Sequence, residues 1–252
     1  MNKKFLKGAA IVCAAAASYS YLPSRMGRLQ HELHQEAEEA ALTLAIPKKV
    51  LYLTFDDGPH PDYTDQLLDL LKEYEIRATF FLVGKFAAEN SDLVLRMEQE
   101  GHTIGLHSME HKSAMIQSPS YTKWDFEKSL EVMEDLGISV KYYRPPWGHV
   151  NWFTLQEIKK RNLQKVLWDV MAGDWKESSD EEKMQYRLLK HSVPGSIVCL
   201  HDGRGDGKVQ NDAPLRMIET LRKTIPIWQE EGYRFETIDE KYKLENKICD
   251  NM

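Results

Sequence analysis

Two acids stand side by side at the end of the apolar run Leu51-Tyr-Leu-Thr-Phe-Asp-Asp57, and Gly58-Pro59 follows at once, a pair that forces a sharp turn. Side chains alternate along a strand, so Asp56 and Asp57 can divide their labour, one acid toward a metal and the other toward a substrate water. An ordinary Asp-Asp-Gly-Pro surface turn has the same composition, and the pair alone leaves both readings open. His107 and His111 are four residues apart, the spacing at which two imidazoles on one helical turn converge, and Asp57 could complete a set of two nitrogens and one oxygen. Such a set, with open positions for water and substrate, suits catalytic zinc, cobalt or another divalent ion. By itself, H-x-x-x-H also describes two surface or capping histidines.

His201 ends the apolar run Ser196-Ile-Val-Cys-Leu200, where an imidazole would protrude from the top of a strand. Its pKa range suits proton donation to a leaving group near neutral pH, although a buried structural histidine fits the position too. Asp174 could hydrogen-bond that imidazole and raise its pKa, with Asp169 as the competing partner. Arg144 is followed by Pro145 and Pro146, which stiffen the backbone around it. An arginine held in such a frame could keep Asp56 ionised and oriented. His102 reads as a core or supporting histidine, and His31 and His34 as solvated surface residues.

These residues need a scaffold that gathers them. From Pro47 onward, short β-branched and aromatic runs alternate with segments of helical period, the pattern of β/α units around a parallel sheet or barrel. Seven strands are expected near 49–55, 77–83, 102–107, 140–143, 164–170, 196–201 and 233–238. Helices are expected near 62–74, 86–100, 121–136, 152–161, 179–191 and 212–230, several of them closed by a glycine. Five polar clusters then fall at the carboxyl ends of strands, and in a β/α barrel all those ends open on one face.

The chain has 252 residues, 42% of them hydrophobic, enough to bury a substantial core. Its 39 acidic and 33 basic residues are mixed along the sequence, with no basic stripe to track a phosphate backbone, so nucleic acid is not an expected partner. Three scattered cysteines, Cys13, Cys199 and Cys249, form no C-x-x-C pair and indicate neither a thiolate metal site nor a disulfide framework. The start, with Lys3, Lys4 and Lys7 before the apolar run Gly8 to Ser18, has the anatomy of an export signal. Residues 1–22 are therefore expected to be a signal peptide or an N-terminal membrane anchor, 23–46 a helical spacer, and 47–252 the catalytic domain.

In order and spacing, the clusters Thr54-Phe-Asp-Asp-Gly58, His107-Ser-Met-Glu-His111, Arg144-Pro-Pro-Trp-Gly148, Asp169 to Trp175 and Leu200-His-Asp202 resemble the five motifs of the polysaccharide deacetylase family, the carbohydrate esterases with a NodB homology domain. The resemblance runs from about Lys48 to Ile238, and its first two motifs match without a change. It implies a distorted (β/α)7 TIM-like barrel in which Asp56 is the general base, Asp57, His107 and His111 bind the metal, and His201 is the general acid. Arg144 would tether Asp56, and Asp174 would tether His201. The Trp147 N–H would help bind the oxyanion, while Leu200 and Trp175 line the acetyl pocket and Pro146 adjoins the substrate. Trp147 replaces a common tyrosine, Cys199 a usual leucine, and Met171 a frequent acid.

The reaction implied is metal-assisted hydrolysis of an acetamide on an extracytoplasmic N-acetylglucosamine polymer, peptidoglycan first among the candidates, by a monomer. Tyr143, Trp147, Trp152 and Trp175 are candidates to stack on sugar rings. Two alternatives stand beside it: an O-acetyl esterase on acetylated xylan or a similar glycan, and a catalytically silent glycan-binding domain.

Overall fold

Val50-Leu-Tyr-Leu-Thr-Phe-Asp56 has no exposed face: all seven residues of this first strand, β1 (Val50–Asp56), are buried, as in a sheet covered on both sides. The computed structural model describes residues 17–42, 49–176, 178–207 and 212–250; the expected export signal, with Cys13, lies largely outside them. Around β1 run β2 (Thr79–Leu82), β3 (Thr103–Leu106), β4 (Tyr142–Tyr143), β5 (Gln164–Lys165), β6 (Val170–Met171), β7 (Ile197–His201) and β8 (Arg234–Phe235). Seven of these form one parallel sheet in the order β5-β4-β3-β2-β1-β7-β6, and β8 pairs with the lower end of β1.

The topology dictates the curl. Laid flat, the outermost strands of seven would stand about 29 Å apart. Yet β5 and β6 are joined by residues 166–169, a link that reaches at most about 18 Å. The sheet therefore bends into the expected distorted barrel with a seam between β5 and β6. Its outer wall holds α2 (Thr64–Glu73), α3 (Gly84–Glu89), α4 (Ser91–Gln99), α5 (Pro119–Asp135), α6 (Trp152–Lys160), α7 (Glu181–His191) and α8 (Ala213–Glu230), with α9 (Ile238–Asp250) closing the chain. Between sheet and helices, Leu53, Phe55, Leu67, Leu71, Phe80 and Trp228 belong to one continuous core, in which Phe55 and Phe80 stack at 5.2 Å.

Three expectations need correction. The strand expected at 164–170 is two short strands, because residues 166–169 cross the seam and the Leu167 carbonyl accepts a hydrogen bond from Arg144 Nη2 at 3.1 Å. The helix expected at 86–100 is broken at Asn90, which has extended-side dihedrals of −131° and 52°. Helix α9 was not expected at all.

The segment before the barrel, α1 (Leu22–Leu42), is helical as expected and is hydrogen-bonded to the barrel. Ser24 Oγ donates to the Val150 carbonyl and accepts from the Val150 N–H, both at 2.9 Å and both buried. Arg28 Nη2 donates to the Trp147 carbonyl at 3.0 Å. His31, expected in solvent, instead sets its Nε2 2.8 Å from Asp169 Oδ1. Asp169 in turn accepts from the Ile197 N–H at 2.7 Å through its other oxygen, so the helix is hydrogen-bonded to both sides of the seam.

Candidate active site

Asp56 and Asp57 sit where β1 ends, and the chain turns so that Asp57 takes φ +75°. Both are buried, at 2% and 8% exposure. A carboxylate that deep needs a counter-charge. For Asp56 it is Arg144, wholly buried, whose Nη1 donates to Asp56 Oδ1 at 2.6 Å and to Thr54 Oγ1 at 2.7 Å. The face of Phe81 lies 4.1 Å from the same guanidinium. The other Asp56 oxygen accepts a hydrogen bond from the Cys199 thiol at 3.4 Å.

Asp57 faces two imidazoles, with His111 Nε2 3.0 Å and His107 Nε2 3.4 Å from its Oδ1. The convergence is not that of a helical turn. Residues 107–111 form a loop in which Ser108 (φ 70°) and His111 (φ 51°) are left-handed, and the two rings meet with centroids 5.0 Å apart. Ser108 Oγ accepts from the His111 N–H at 2.8 Å, while Asp125 on α5 accepts from the Met109 N–H at 3.0 Å. Burial raises the Asp125 pKa to about 6. Asp57 goes the other way: burial alone would raise its pKa, but the facing His107 and His111 hold it well below the carboxylate range.

A divalent ion fits this cluster. His107 Nδ1 lies 2.7 Å from the Arg144 carbonyl, which can only accept, so Nδ1 carries the proton. In the neutral ring Nε2 then offers its lone pair 3.4 Å from Asp57 Oδ1, a buried oxygen with no hydrogen bond of its own. Two lone pairs held at 3.4 Å repel unless a cation, a second proton on the ring or a metal ion, lies between them. The three donor atoms lie within 4.8 Å of one another, a compact N, N, O set.

His201, at the top of β7, has its ring Nδ1 3.2 Å from Asp174 Oδ1, and its backbone N–H donates to Asp174 Oδ2 at 2.7 Å. Asp174 is thus the partner of His201, and Asp169 belongs to the seam. Burial by itself would lower the His201 pKa, but Asp174, reinforced by Asp57 and Asp56, carries it up to about 10. Trp175 meets the ring edge-on at 5.1 Å. Leu200 is fully buried in the core that holds Leu53 and Phe55.

The remaining candidates separate. Trp147 (φ 55°) stands half exposed against His111, ring centroids 4.4 Å apart, in a short turn with the buried Pro146. Trp175 is 43% exposed and also open to a ligand. Tyr143 is core, packed on Phe126 at 4.6 Å, and Trp152 donates its indole N–H to the Ser18 carbonyl. His102 is a core residue as expected, accepting from the Ala78 N–H, and burial lowers its pKa to about 4.

Several supporting residues, Asp202 of the last cluster among them, had no role assigned from the sequence. Asp202 is fully buried, accepts from Thr64 Oγ1 at 2.5 Å, and leaves Oδ1 without a partner. A Cβ on Gly58 would fall 2.2 Å from its carboxylate, so only glycine fits there. Its place directly after His201 was the available signal. For Asp125 and Arg28 there was none, because each acts on residues distant in sequence.

Residues 44–166 match the family model described as polysaccharide deacetylase. A peptidoglycan-N-acetylglucosamine deacetylase of Bacillus cereus is 34% identical over 84% of this chain and 99% of its own length. The peptidoglycan-N-acetylmuramic acid deacetylase PdaA of Bacillus subtilis is 32% identical over 77% of this chain and 71% of its own. Among solved structures, a family 4 acetyl xylan esterase from Clostridium thermocellum in complex with a cobalt ion superposes with TM-score 0.70 at 28% identity, covering 79% of this chain and 92% of that one.

Proposed function

The chain belongs to the polysaccharide deacetylase family, and on that premise we propose that it is a metal-dependent hydrolase removing N-acetyl groups from an extracytoplasmic glycan, peptidoglycan first among them. The observation that carries this reading is the opposition of the His107 lone pair and the unsatisfied Asp57 oxygen, beside a separately tethered acid and base. Asp57, His107 and His111 would hold the ion, with zinc or cobalt suited to the donor set. When bound, it supplies Lewis-acid polarisation of the acetyl carbonyl and a lowered pKa for water.

The chain's own residues divide the rest of the chemistry. Asp56, held and oriented by Arg144, takes the proton of the attacking water. The Trp147 N–H donates to the developing oxyanion. His201, protonated through neutral pH by its pairing with Asp174, gives its proton to the departing sugar nitrogen as the carbon–nitrogen bond breaks. Acetate and a free amine result. By the family resemblance Leu200, Trp175 and Pro146 would line the acetyl pocket; of the three, Trp175 alone is exposed, beside His201.

In this reading residues 1–22 are an export signal or anchor, 23–46 a helical segment and 47–252 the catalytic domain, which places the enzyme outside the cytoplasm with its substrate. The similarity to two peptidoglycan deacetylases supports that location. A second reading, O-acetyl ester hydrolysis on xylan, is favoured by the clostridial esterase. Acetate release measured side by side on peptidoglycan, N-acetylglucosamine oligomers and acetylated xylan separates the two: deacetylation requires release from the first pair, and release from xylan alone would establish the esterase. The complete acid, base and ligand set speaks against a silent binding domain.

A further inference from the structure

Helix α1 has two opposed faces, and the barrel covers only one. Ser24, Gly27 and His31, with Arg28 at their side, face the domain, where hydrogen bonds to Val150, Trp147 and Asp169 fix the helix about its own axis. Leu22, Met26, Leu29 and Leu33 are 49%, 52%, 54% and 55% exposed. At 3.6 residues per turn these four fall within a stripe about 60° wide, while the docked residues centre about 180° away on the opposite side. A helix free to roll would bury four large apolar side chains. This one is held with them outward.

We propose that this stripe lies on a lipid bilayer, with α1 flat in the interfacial layer and the catalytic barrel hung from its other face. The occupant follows from chain continuity: the stripe begins four residues after the apolar run Gly8 to Ser18, itself preceded by Lys3, Lys4 and Lys7. Until that run is removed after export, and throughout if it is kept, α1 starts its course beside the membrane. Among the described residues no helix is long and apolar enough to cross a membrane, and a stripe of this kind suits lying on one. A second copy of the chain is a poorer fit, since one line of four side chains falls well short of the roughly 1,200 Å² that a stable interface buries. The consequence is orientational. The hydrogen bonds from α1 to the Trp147 turn and to Asp169 would hold the mouth of the barrel at a fixed height and tilt above the bilayer.

The test uses the full chain on vesicles of phosphatidylethanolamine and phosphatidylglycerol. An environment-sensitive fluorophore is attached through Leu29→Cys in a Cys13→Ser, Cys249→Ser background, Cys199 being buried. The expected result is a blue-shifted label quenched by lipid-borne quenchers, with a control label at the exposed Lys223 unaffected. Replacing Leu22, Met26, Leu29 and Leu33 together by glutamine should lower vesicle partition about tenfold or more while leaving the circular dichroism unchanged. A label at position 29 that stays in water on vesicle-bound protein overturns the proposal, as does a label buried by protein concentration alone without lipid, which would assign the stripe to a second copy. Failure to bind vesicles at all overturns it equally, and none of these outcomes depends on the catalytic assignment.

Discussion

Arg144 and Asp56 meet at 2.6 Å in a part of the barrel where neither side chain is more than 3% exposed. Removing one partner of a buried ion pair strands the other charge, at about 3–5 kcal/mol. Arg144→Ala should therefore lower the unfolding free energy by about that much, and Arg144→Ala combined with Asp56→Asn should recover part of it. Denaturant unfolding of both single variants and the double variant beside the parent closes the cycle; losses that simply add would mean that the pair is not coupled.

Asp56→Asn keeps the hydrogen-bond acceptor for Arg144 and removes only the basic oxygen. Its kcat should fall by about 10²–10⁴-fold with cobalt binding intact, whereas Asp57→Asn should lose the cobalt as well. Metal content by mass spectrometry on the two purified proteins distinguishes base from ligand.

For His201→Ala, the expected loss is about 10²–10⁴-fold in kcat on amide substrates with KM little changed, and a smaller loss on an O-acetyl ester, whose alkoxide departs without full protonation. Equal effects on kcat and KM would remove His201 from the role of acid.

The His201–Asp174 pair also sets a pH dependence. A raised imidazole pKa means that the proton is held from acid pH up to about 10. Asp174→Asn leaves burial as the dominant influence, which lowers the pKa, so the alkaline limb of the kcat/KM profile should move toward acid. In stability the sign is the same: the pair stabilises fully below the ordinary histidine pKa, and its contribution is lost as pH rises through about 10.

Asp202 offers a second titration. Burial raises its pKa to about 7, so the folded state keeps a proton that the unfolded chain has released. Stability linked to it is present below the unfolded value and lost as pH rises through about 7. In metal-stripped protein, Asp202→Asn should flatten that loss between pH 5 and 8, which urea melts at several pH values would read as a variant gaining on the parent with rising pH.

Much of this site was legible because its chemistry is local. Asp56-Asp57, His107 with His111, Arg144 with its prolines, and His201 each sit at a strand end, and strand ends are marked by where apolar runs stop. What failed was set by distant partners. The fifth strand broke because the Leu167 carbonyl serves Arg144, 23 residues away. His31 left solvent because Asp169 lies across the seam, and the loop at 107–111 needed two left-handed residues that its sequence does not announce. Helix α9 did carry a local mark: in Thr237-Ile-Asp-Glu240, Thr237 and Glu240 cap each other's backbone N–H groups.

The most direct test of the central claim is acetate release from peptidoglycan and N-acetylglucosamine oligomers by metal-stripped protein, with zinc, cobalt or nothing restored, beside an Asp57→Ala control. The expected result is release that returns with the metal in the parent and in neither condition in the control. Release undiminished by stripping, or equal in the control, would contradict a metal held by Asp57, His107 and His111.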